Sequence, residues 1–104
     1  MSEFTSVTEI SRLQPGHRHI VRLQGKEIAI FNLNGEFFAL DNVCPHKEGP
    51  LGAGLIAEGQ VFCPMHGWQF DIKTGACLTR PDCPVKTYRT QVHDGQIQVC
   101  LTDS

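Results

Sequence analysis

Two short stretches leave this chain few ways to fold. Cys44-Pro45-His46 and Cys63-Pro64-Met65-His66 each carry a thiol and an imidazole, as C-x-H and C-x-x-H, with 16 residues between them. Folding that brings the two pairs together gathers two sulfur and two nitrogen donors at one point. Such a set can hold a tetrahedral zinc ion. It can equally hold an iron–sulfur cluster with cysteines on one iron and histidines on the other.

The spacing and the charge favour the cluster. Paired ligands of structural zinc sites are commonly separated by two to five intervening residues, and C-x-H, with one, is tighter than that. Two ferric ions and two sulfides carry about +2, which two thiolates cancel while neutral imidazoles add nothing. Four thiolates would leave about −2 before any electron arrives, so histidine ligation makes reduction easier. Imidazoles also bring ionisable rings to the metal, so their protonation should couple to redox state. The prolines after both cysteines restrict the backbone, and Gly49, Gly52 and Gly67 would let backbone approach the sulfides.

The rest of the chain bounds the setting. With 104 residues it reads as one domain over 1–104, with a cluster-binding lobe at about 41–84. Charged residues are 19% of the chain and the formal net charge is −2, with no basic stripe, which argues against nucleic acid. No apolar run approaches the ~20 residues a membrane helix needs. The first residues show no secretory pattern. Five cysteines is an odd number, which suits a reducing cytoplasmic compartment better than a disulfide scaffold.

Turn signals divide the chain into strands. Alternation over 17–23, a turn at Gln24-Gly25-Lys26 and a strand over 27–33 come first. Asn34-Gly35 then turns into Glu36-Phe37-Phe38-Ala39-Leu40, making a meander. Residues 4–7 alternate loosely, and 8–13 could form a helical turn before Pro15-Gly16. Residues 41–59 hold four glycines and two prolines with little periodicity, the mark of a functional loop. Gln60-Val61-Phe62 is a strand leading into Cys63, and 68–72 can pair back. Residues 85–92 alternate, His93-Asp94-Gly95 turns, and 96–101 closes the sheet. The expected class is all-β.

Taken together, Cys44-Pro45-His46 and Cys63-Pro64-Met65-His66-Gly67-Trp68 resemble the motif of the Rieske [2Fe–2S] ferredoxin family, and the similarity extends to 34–40. The resemblance implies stacked antiparallel sheets with a small cluster-binding subdomain, and a third, proline-bearing loop that Arg80 to Pro84 would supply. It also implies that Cys44 and Cys63 bind the inner iron and His46 and His66 the outer one. High-potential members carry a loop-bridging disulfide where this chain has Gly49 and Met65. They carry serine and tyrosine hydroxyls where it has Trp68 and Phe70. A potential toward the lower end of the ~ −150 to +300 mV Rieske range is therefore expected.

Residues 46–51, 63–68, 73–75 and 84–88 are most similar to the small subunit of assimilatory NAD(P)H-dependent nitrite reductase. The implied role is electron transfer from an NAD(P)H-linked reductase to a terminal oxidoreductase, with no catalysis by the chain alone. Other readings are a free ferredoxin of an aromatic-ring-hydroxylating dioxygenase and a zinc-stabilised interaction module. Cys77, Cys83 and Cys100 read as small buried hydrophobes, and Cys83 is the one closest to the expected cluster. His17 and His19 read as solvated strand residues. The oligomeric state is not legible.

Overall fold

A computed structural model describes residues 4–42, 50–64 and 67–101. Ten strands and two 3-10 turns lie among them. The middle layer is an antiparallel sheet in the order β2-β3-β4-β8: Arg18–Leu23, Lys26–Leu33, Glu36–Asp41 and Thr87–Tyr88. A three-stranded sheet, β1 (Phe4–Glu9), β10 (Gln96–Cys100) and β9 (Thr90–His93), packs on one side. The third sheet is small: β5 (Leu55–Ala57), β6 (Gln60–Phe62) and β7 (Gln69–Asp71).

Strand β3 explains this layering. Residues Ile28 to Asn32 are all buried, and since side chains alternate across a strand, both faces must be covered. Ile28 and Ile30, with Ala39 of β4, enter a core with Leu13, Tyr88, Ile97, Val99 and Leu101. Ala29 and Phe31, with Leu40, enter a second core with Leu51, Val61, Cys63, Phe70, Ile72, Cys77 and Val85. One core holds the terminal sheet to the centre. The other holds the small sheet.

Four tight turns set the hairpins. At Gln24-Gly25, Asn34-Gly35, Glu58-Gly59 and Asp94-Gly95 both residues have positive φ, from +50° to +93°. This is the turn whose twist matches a two-residue hairpin. The expected helical turn over 8–13 is present in part, as the 3-10 turn Ile10–Arg12, while Thr8 and Glu9 belong to β1. The loose alternation near the N-terminus has a physical cause: β1 bulges against β10 between Ser6 and Thr8, so one residue goes unpaired.

Two expectations need correction. The alternating stretch 85–92 is not one strand, because the chain crosses between sheets at Arg89. Tyr88 is buried beside Ala39 of β4, whereas Thr90 already pairs with Val99 of β10. Thr90 marks the crossing by donating its hydroxyl to the Phe37 carbonyl at 2.7 Å. Nor is 41–59 without structure, for it contains the 3-10 turn Leu51–Ala53 and strand β5. Among the described residues no helix is long and apolar enough to cross a membrane.

Buried Asn32 ties the entry of β2 to the β3–β4 hairpin. Its Nδ2 donates to the Leu13 carbonyl at 2.7 Å and its Oδ1 accepts from the Gly35 N–H at 2.8 Å. Asn32→Ala is expected to lower unfolding free energy by about 1–3 kcal/mol, because it strands a buried carbonyl; urea denaturation measures this.

Candidate metal centre

Of the four candidate ligands, Cys63 lies among the described residues, while Cys44, His46 and His66 lie outside them. The surroundings of both ligand stretches are nevertheless described, and each is closed at its base by short hydrogen bonds.

The second stretch leaves the small sheet at the end of β6. The Cys63 N–H donates to the Trp68 carbonyl at 2.7 Å, and the Gly67 N–H donates to the Cys63 carbonyl at 2.8 Å. Cys63 is 2% exposed and packs in the same core as Leu51 and Phe70. Its backbone is thus fixed on both sides, and the thiol is the function it has left to offer. Gly67 has φ +72°, and a Cβ there would meet nothing within 4 Å. Glycine is required by the backbone conformation, and the space beside it is open.

The first stretch is bracketed by Asn42 and Leu51. The Leu51 N–H donates to the Asn42 carbonyl at 2.7 Å, and the Asn42 N–H donates to the Glu27 carbonyl at 2.8 Å. The Asn42 side chain adds two more bonds, to Glu27 at 2.8 Å and from the Gly52 N–H at 2.6 Å. Arg18 of β2 braces the returning chain by donating to the Gly52 carbonyl at 2.7 Å and the Gly54 carbonyl at 2.9 Å.

The two bases touch. A Cβ on Gly54 would fall on the Phe62 carbonyl oxygen, immediately before Cys63, so only glycine lets these segments lie together. Gly52 has a packing role. A Cβ there would sit 2.7 Å from Asn42 Oδ1 and 2.8 Å from Ile20 Cδ1, so its missing side chain makes room for the central sheet.

Arg80 to Pro84 is pinned beside the second stretch. The Arg80 guanidinium lies 5.6 Å from the Trp68 ring centre, a cation–π contact. The Arg80 N–H points at Cys77 Sγ at 3.2 Å, and the Cys83 N–H donates to the Arg80 carbonyl at 2.9 Å. Cys77 and Cys100 are buried, as expected of small hydrophobes, whereas Cys83 is half-buried. His17 is exposed and His19 half-buried. Sequence reasoning passed over Asn42 and Arg18; the signal available was a polar residue two positions before Cys44, at the end of a strand.

The Rieske [2Fe-2S] domain family matches residues 3–89. The chain belongs to that family. It is 33% identical over 98 residues to the biphenyl dioxygenase ferredoxin subunit of Pseudomonas sp. strain KKS102, covering 92% of this chain and 90% of that one. A Mycobacterium tuberculosis protein assigned as the small subunit of an NADH-dependent nitrite reductase superposes with a TM-score of 0.91. The two share 27% identity, over 100% of this chain and 99% of the other. The ferredoxin of carbazole 1,9a-dioxygenase from Nocardioides aromaticivorans IC177 gives a TM-score of 0.86 at 29% identity, over 94% and 97%. The protein is a Rieske ferredoxin-type electron carrier, and its cofactor is a [2Fe–2S] cluster.

The residues present fit that group. Two thiols and two imidazoles are the donor set a Rieske cluster takes, and Cys63 has the fixed backbone and the dry apolar wall a buried ligand needs. Gly67→Ala is expected to destabilise the protein by about 1–2 kcal/mol through its positive φ, with Gly67→Asn milder; thermal melting of both variants measures the difference.

At the mouth of the first stretch, burial pushes the Asp41 carboxyl above the usual range, while the ammonium groups of Lys86 and Lys26 pull it partly back. Folded Asp41 therefore holds its proton to higher pH than the unfolded chain does. Its contribution is favourable at low pH and is lost as pH rises through the folded value. Asp41→Asn is expected to be more stable than wild type at pH 7, with the advantage shrinking as pH falls through the raised folded value and gone below the ordinary carboxylate value of about 4. Urea midpoints across that range test this.

Proposed function

We propose that Cys44 and Cys63 hold the inner iron and His46 and His66 the outer iron of a low-potential Rieske centre, within a lobe spanning about 41–84. The observation that carries the reading is the contact between the two loop bases, Gly54 against the Phe62 carbonyl, with Leu51 and Cys63 in one core. When bound, the cluster supplies a one-electron couple. The chain's residues hold it, exclude water and set its charge. Two thiolates and two neutral imidazoles leave the oxidised site near neutral. Trp68 and Phe70 offer no hydroxyl to sulfur, which keeps the potential toward the low end of the Rieske range.

The chain passes single electrons from an NAD(P)H-linked reductase to a terminal oxidoreductase, in the cytoplasm, as part of a nitrite reductase system. Support comes from likeness over the whole length to the M. tuberculosis nitrite reductase protein. Exposed Leu55 and Leu78, 70% and 48% accessible, flank the sheet edge from which Cys63 emerges and suit a transient protein partner. A second reading, the free ferredoxin of a ring-hydroxylating dioxygenase, is favoured by the 33% identity to the biphenyl dioxygenase ferredoxin. Reconstitution separates them: restored NADH-dependent nitrite reduction with a sirohaem subunit supports the first, and electron delivery only to an oxygenase supports the second.

Purified protein should be red-brown, with iron and acid-labile sulfide in equal amounts. A colourless protein that binds zinc would refute the reading. His66→Cys is expected to keep some iron while lowering the midpoint potential by roughly 100 mV or more, because it adds a negative charge to the site. Redox titration followed by electron paramagnetic resonance measures the shift.

A further inference from the structure

Asn42 is 2% exposed, and its backbone and side chain together make four hydrogen bonds. A buried amide is costly unless fully bonded, and this one is bonded to both sides of the first ligand stretch. On the outgoing side it is fixed to β3 through Glu27, by backbone and carboxylate. On the returning side it receives the N–H groups of Leu51 and Gly52. The chemistry demands an amide here, because one donor must face the Glu27 carboxylate while one acceptor faces a backbone N–H.

We propose that Asn42 is a positioning residue for the cluster: it holds both ends of the 43–49 stretch at the separation Cys44 and His46 need to act as ligands. The inference rests on reading those two residues as ligands. Glu27, itself 3.5 Å from Arg22, anchors the amide from one side. Arg18, through the Gly52 and Gly54 carbonyls, steadies the segment that receives it. Gly52 completes the device, since a Cβ would push the amide away.

Iron release from the loaded protein to a chelator is the main readout, with hydrogen exchange at Leu51 and Gly52 as the second. Asn42→Ala is expected to release iron about tenfold faster than wild type. Asn42→Asp keeps the acceptor but sets two carboxylates against each other, and is expected to behave alike. Combining Asn42→Asp with Glu27→Gln reverses donor and acceptor and restores the net charge. Return to within about threefold of the wild-type rate is the expected rescue, which a merely space-filling role would not produce. Wild-type rates in Asn42→Ala, or a double variant as fast as Asn42→Asp, would overturn the proposal. If Asn42→Ala does not fold, the single and double Asp variants decide between them. A wild-type protein that takes up no iron would refute the ligand assignment instead. Exchange at Leu51 and Gly52 would then still decide the clamp: faster in Asn42→Asp and recovered in the double variant supports it, and no difference overturns it.

Discussion

Burial of β3 on both faces is the constraint from which the rest of the molecule follows. A strand whose successive side chains all leave water needs a layer on each side, and the chain supplies one from its two ends and the other from its middle. The terminal sheet covers Ile28 and Ile30, and the small sheet covers Ala29 and Phe31. The metal-binding half is therefore not an appendage. Its packing against Phe31 and Leu40 is half of what keeps the central sheet dry, so unfolding that lobe would expose β3 as well.

The same arrangement explains how the bases of the two candidate stretches, far apart in sequence, come to lie against each other. Each begins where a strand ends, and each is closed by a bond between its own flanking residues: Leu51 to Asn42, and Cys63 to Trp68. Local closure limits the freedom of each stretch, while shared burial of Leu51 and Cys63 fixes one base against the other. Gly54 makes that approach possible, since a Cβ on it would fall on the Phe62 carbonyl oxygen; Gly75 in the same way lets the chain lie against the Val85 carbonyl.

Much of this was legible in the residues themselves. Gln24-Gly25 and Asn34-Gly35 mark hairpins because few other pairs tolerate two positive φ values, and the Cys-His pairs mark the site because few other chemistries use them. What escaped was decided by long-range packing. Leu55-Ile56-Ala57 is too short to read as a strand until β6 pairs with it. The run 85–92 alternates evenly, yet it splits at Arg89 because Tyr88 and Thr90 answer to different sheets. Asn42 looks like an ordinary loop polar residue, and only the return of Gly52 to its side chain shows otherwise.

Trp68 and Phe70, which follow Cys63 on the second stretch, serve packing. Phe70 is fully buried, pairs with Val61, and bridges to Cys77, so its ring ties the small sheet to the core. Trp68 closes the second stretch through its carbonyl and carries Arg80 on its ring, so it binds the third loop to the second. A smaller polar side chain at either place would remove apolar contact from a lobe held by one small core. Among the described residues of that lobe there are three short strands, one 3-10 turn and no α-helix, so apolar side chains there stabilise the frame itself. Packing of Phe70 in the core and of Arg80 on the Trp68 ring thus holds the base of the second stretch in place.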